Sequence, residues 1–184
     1  MPVRALLEYA ALILLLLAAV WAAGRLLRVS SGRRLEPVVV GSPWLEAEDA
    51  YGQALASHRR DQVSSVVTGH RDRLELPSLG DVAPLGQFLG QRPRGERTIP
   101  VERIVGSADG TSRLFDRKFR PTDERARDRF QHVYVAMRTG QTLPAIEVYQ
   151  WHGDYFVADG LHRVAVARAM GHQYIGAEVT DLTA

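Results

Sequence analysis

The stretch Val157-Ala158-Asp159-Gly160-Leu161-His162-Arg163, continuing through Val164-Ala165-Val166-Ala167-Arg168-Ala169-Met170-Gly171, leaves the chain few options. It reads as a strand that ends in a tight acidic-glycine turn and opens directly into a helix, with Gly171 as the stop. Backbone N–H groups at a helix start have no intrahelical partner, and the helix dipole favours negative charge there. Gly160 lets an oxyanion approach, and His162 and Arg163 fall in the first turn, so the segment is a sensible phosphate cradle. A plainer role fits the same residues. Asp159 would cap the helix, Gly160 would serve backbone geometry, and His162 and Arg163 would be solvated.

Little else points to chemistry. Among the 184 residues there is no cysteine, which excludes disulfides, thiolate metal sites and cysteine nucleophiles. His58, His70, His132, His152 and His172 lack paired metal-ligand spacing, so no metal site is expected. The net charge of +2 is misleading, because Arg4, Arg25, Arg28, Arg33 and Arg34 flank one apolar block. Without those five and Glu8, the 23 basic and 21 acidic residues become 18 and 20, a balance of −2. The folded part is therefore not expected to carry a general nucleic-acid surface.

That apolar block, residues 9–24, holds 16 residues without a charge. A spanning helix needs about 20. Leu6, Leu7 and Leu27 extend the segment to residues 6–27, with Glu8 and Arg25 reaching toward the interface. A cleaved signal peptide would have only Arg4 as its basic region and weak cleavage patterns at residues 20–24. A buried helix apolar on every face suits a small domain poorly. The expectation is a single-pass membrane anchor, residues 1–29 with its flank, and four following arginines that put the C-terminal side in the cytoplasm.

Residues 30–97 read as a juxtamembrane linker, a helix near residues 44–60 begun by Ser42-Pro43, and an irregular segment. The helix carries an approximate stripe of Leu45, Ala47, Ala50, Tyr51, Ala54 and Leu55. From residue 69 to 98, prolines 77, 84 and 93 and glycines 80, 86, 90 and 95 break any regular pattern.

Residues 98–184 read as a small α+β domain. A strand is expected over residues 98–105, with Pro100 near its start, as suits an edge. Pro121-Thr122-Asp123-Glu124 is a helix start with Thr122 as cap. Phe130, Val133, Tyr134 and Met137 then make an apolar face, and Gly140 a C-terminal cap. Strands over residues 143–149 and 155–158 flank a hairpin turn, and residues 174–179 form the closing strand.

This order resembles the ParB/sulfiredoxin-like superfamily, over about residues 98–181. The resemblance rests on Ile99-Pro100-Val101-Glu102-Arg103-Ile104, on Gly140-Gln141-Thr142-Leu143-Pro144-Ala145-Ile146-Glu147-Val148, and on Asp159-Gly160-Leu161-His162-Arg163-Val164-Ala165. It implies a mixed-sheet domain whose Gly160, Leu161, His162 and Arg163 turn binds nucleotide phosphates. Sulfiredoxins carry a catalytic cysteine where this chain has Leu161, so their redox chemistry is ruled out. ParB proteins carry Glu-Arg where this chain has Leu161 and His162, and they continue into a DNA-binding domain. Site-specific DNA loading is accordingly not expected. The Asp-Gly-x-His-Arg form is closest to the free serine kinase type. That likeness implies Glu102 as an acidic catalytic residue and Asp159 as a helper for Mg²⁺.

The resulting expectation is a membrane-anchored cytoplasmic nucleotide-binding module (CTP, ATP or ADP, with Mg²⁺) that acts as a switch and self-associates. The alternatives are a small phosphotransferase and an interaction domain without a ligand.

Overall fold

The computed structural model describes residues 41–68, 74–83, 90–110 and 113–183. The apolar segment 6–27 lies outside these residues, and so does the anchor expected there. Among the described residues no helix is long and apolar enough to cross a membrane.

Helix α1 runs Pro43–Thr68, with the Ser42 carbonyl accepting from the Leu45 and Glu46 amides. It continues two turns beyond the expected end, because residues 61–68 hold neither glycine nor proline. Ala47, Tyr51, Leu55, His58 and Ser65 form its buried face, whereas Leu45 is exposed. A four-residue helix α2, Leu79–Val82, follows.

Strand β1, Gly90–Pro100, starts inside the segment expected to be irregular and meets the strand expected over residues 98–105 only at its last three residues. It pairs antiparallel with β5, Tyr174–Thr183, and its register shifts between Pro93 and Gly95. Proline cannot donate to a ladder, so an edge strand with a bulge accommodates it. Pro100 closes β1 instead of opening a strand. Val101–Arg103 then make one 3-10 turn, and Ile104–Ser107 form β2.

Helix α3, Arg127–Arg138, is entered through a 3-10 turn whose cap is Asp123, not Thr122. The Asp123 carboxylate accepts from the Arg125 amide, while the Thr122 hydroxyl donates to the Arg113 carbonyl. Phe130 is fully buried, and Val133, Tyr134 and Met137 pack against the core as the spacing predicts. Gly140, at φ 74°, ends the helix, with the Gln141 amide donating to the Ala136 carbonyl.

β3, Ile146–Trp151, and β4, Asp154–Asp159, form the hairpin. His152 and Gly153 both take positive φ, the geometry of a two-residue turn matched to strand twist. Helix α4, Leu161–Ala169, leads back to β5. The sheet order is β1-β5-β3-β4-β2, with β5 parallel to β3 and β2 parallel to β4.

The larger core lies between the sheet and helices α1, α3 and α4. Ile99, Ile146, Val148, Val157, Ala177 and Val179 meet Tyr51, Leu55, Phe130, Val164 and Ala165 there. Each large side chain contributes roughly 1.5–3 kcal/mol by leaving water. Alternate strand positions point the other way, and Trp151, Phe156 and Leu182 pack under Leu79 and Ala83. The fold is thus a mixed α/β domain with a five-stranded mixed sheet. Its main helical layer places the start of α4 at the end of β4.

Candidate functional site

β4 ends at Asp159, and Gly160 turns the chain with φ 106° and ψ 21°. L-residues rarely adopt that backbone, and a Cβ there would fall 2.6 Å from Ile146 Cγ2. Gly160 itself is the helix cap, its carbonyl accepting from the Val164 amide at 3.1 Å. Asp159 does not cap the helix. The amides of Leu161, His162 and Arg163 find no acceptor among the described residues. They border an open depression of about 540 Å³.

The three side chains of this turn do different work. Leu161 packs on the core and offers only its amide. Arg163 is directed inward, its side chain 14% exposed. It donates to the carbonyls of Pro144 and Ala145 at 2.5 and 2.7 Å and to the Asp159 carboxylate at 2.5 Å. Its guanidinium ties the entry of β3 to the turn while also lining the depression.

His162 lies edge-on to Phe115, with ring centroids 4.9 Å apart. Its Nε2 is buried without a hydrogen-bond partner. Burial, reinforced by the nearby charge of Arg129 and opposed by Asp159, pushes its pKa down to about 4. The ring is neutral at physiological pH.

The cation facing the depression is Arg129, on the first turn of α3. It is exposed and makes no ion pair among the described residues. Sequence reasoning missed it, since it is one arginine in a mixed-charge run whose position depends on how α3 crosses α4. Glu147 lines the same depression and is the cross-strand partner of Asp159. Asp159 is already paired with Arg163, so Glu147 is the other carboxylate at this depression. Among the described residues no group of three or more His, Asp or Glu could hold a metal by itself.

Glu102 does not join this site. It lies in the 3-10 turn after β1, lining a separate depression of about 670 Å³ with Arg168, His172 and Tyr174. That depression is at the C-terminal end of α4. The nine residues of the helix, roughly 13 Å, separate it from Gly160. Glu102 and Asp159 therefore form no catalytic pair.

Set against protein-family models, curated proteins and solved structures, the chain finds no match.

Proposed function

We propose that the domain binds a nucleotide through its phosphates at the start of α4, as a binding or switch module on a membrane anchor formed by residues 6–27. The observation that carries this reading is the set of unpaired amides of Leu161, His162 and Arg163, opening on a depression that also receives Arg129. The amides and the helix dipole would hold phosphate oxygens, and Arg129 would supply the mobile positive charge. Arg163 would act indirectly, by holding the turn open against β3. Glu147, with Asp159 if its pairing to Arg163 opens, would hold a Mg²⁺ ion that offsets the phosphate charge. The resemblance of residues 98–181 to the ParB/sulfiredoxin-like superfamily points to the same turn. Phosphoryl transfer is the weaker reading, because Glu102 sits at the far end of α4.

The test is calorimetric titration of CTP, ATP and ADP, with and without Mg²⁺, into the full chain and into Arg129→Ala. One nucleotide should bind saturably, and Arg129→Ala should weaken it by about tenfold, the scale of one charge-assisted contact. Binding by none of the three would refute the proposal.

A further inference from the structure

Helix α1 turns one face into its own domain through Ala47, Tyr51, Leu55 and His58. The opposite face is exposed along the length of the helix. Leu45, Asp49, Gly52, Ala56, Arg59 and Val63 recur there at alternating intervals of four and three residues, and all six are exposed. That 3.5-residue period is the seam along which one helix packs on another.

The ends of the seam are apolar and its middle is small. Leu45 is 67% exposed and Val63 is 66% exposed. Gly52 and Ala56 stand about one turn apart, and a Cβ added to Gly52 would meet nothing within 4 Å. Small side chains at a crossing let a second helix backbone come close. Two charges of opposite sign separate the small pair from the ends. Asp49 makes no hydrogen bond or ion pair among the described residues. Arg59 has an exposed pairing with Glu124 at 3.9 Å.

Reversed, the seam is its own complement. About Ala54, Leu45 mirrors Val63 at nine residues on either side, Asp49 mirrors Arg59 at five, and Gly52 mirrors Ala56 at two. Two copies laid antiparallel match apolar with apolar, acid with base and small with small. Each contact is made twice, as a two-fold interface requires. A parallel pair would instead set Asp49 against Asp49 and Arg59 against Arg59.

We propose that this face of α1 docks a second copy of the chain, antiparallel about a two-fold axis at Ala54. Leu45 meets the partner's Val63, Asp49 meets the partner's Arg59, and Gly52 meets the partner's Ala56. A single helix pair about 27 Å long is a small interface, so the dimer is reversible. The surface is independent of the nucleotide reading, because it shares no residue with the α4 depression.

The chain has no cysteine, so single introduced cysteines report the geometry directly. Full-length Leu45→Cys and Val63→Cys proteins are mixed in detergent and mildly oxidised. The mixture should give disulfide-linked dimer and each variant alone almost none. Like positions lie about 27 Å apart in the antiparallel pair, beyond disulfide reach. Sedimentation equilibrium of the full chain in density-matched detergent measures the charge pairs. Asp49→Arg should weaken dimerisation by about tenfold, the sum of two attractions turned into two repulsions. Adding Arg59→Asp should restore it. Both positions are exposed, so circular dichroism should show each variant folded. Linking by either variant alone, or no linking in the mixture, overturns the proposal. So does an undiminished dimer in Asp49→Arg, or no recovery in the double variant.

Discussion

Ile146 stands against the α-carbon of Gly160, with its Cγ2 only 2.6 Å from where a Cβ would be. Two demands meet at this glycine, a positive φ and a close approach to a fully buried side chain. Gly160→Ala is therefore expected to cost about 2–4 kcal/mol, from backbone strain and overpacking together. Gly140→Ala is the comparison. That glycine also has positive φ, but nothing lies within 4 Å of its missing Cβ, so about 1 kcal/mol is expected. Urea unfolding of both variants measures the difference.

Arg163 and Arg129 should separate stability from binding. Arg163→Ala strips donors from two carbonyls and the Asp159 carboxylate and should cost about 1–3 kcal/mol in unfolding. Arg129→Ala should change stability by less than about 0.5 kcal/mol, since the residue is exposed and makes no ion pair among the described residues. The reverse ranking in urea titrations would show that Arg163 is the solvent-facing cation.

His162 makes the fold acid-sensitive within a defined window. Its folded pKa, about 4, lies below the ordinary 6.5. Between those values the unfolded chain binds more protons than the folded one, so stability rises with pH across the window. Equivalently, stability is lost as the pH falls from about 6.5 toward 4. The expected loss is about 2 kcal/mol after discounting for solvent screening of the half-open ring. His162→Gln should flatten this part of the profile, measured by urea unfolding at intervals from pH 4.5 to 7.5.

Asp116→Asn removes one of the two carboxylates paired with Arg120, whose side chain is 12% exposed. Asp61 still faces the guanidinium, so the cost falls below that of a fully unpaired buried charge, and about 2–3 kcal/mol is expected. Calorimetric unfolding should show a large fall in Tm. A shift no larger than that of a surface substitution would mean that water already reaches the network.

What the sequence revealed follows the range of the interactions involved. The β3–β4 hairpin, the α3 face at Phe130, Val133, Tyr134 and Met137, and the Asp159-Gly160 turn are all set by neighbours within a few residues. They were legible as period and turn chemistry. β1 was legible only over its last three residues. The rest, residues 90–97, are mostly polar because one side faces water at a sheet edge, and the partner that makes them a strand lies about eighty to ninety positions later. The same distance misled the placement of Glu102, which was read as part of a continuous strand. In fact the 3-10 turn after Pro100 carries it to the other end of α4. The pairing of His58 with Asp116 joins residues 58 positions apart, and no local pattern announces it. The site was half legible: the turn could be found, but not that Arg163 faces inward and Arg129 outward.

The last strand in chain order sits second from the edge of the sheet, between the first strand and the hairpin. Until residues 174–183 have left the ribosome, β1 has no neighbour and β3 lacks one of its two. β1 must therefore wait for β5 to be made before it has a partner. Sheets closed by such distant pairing form slowly and risk aggregation meanwhile.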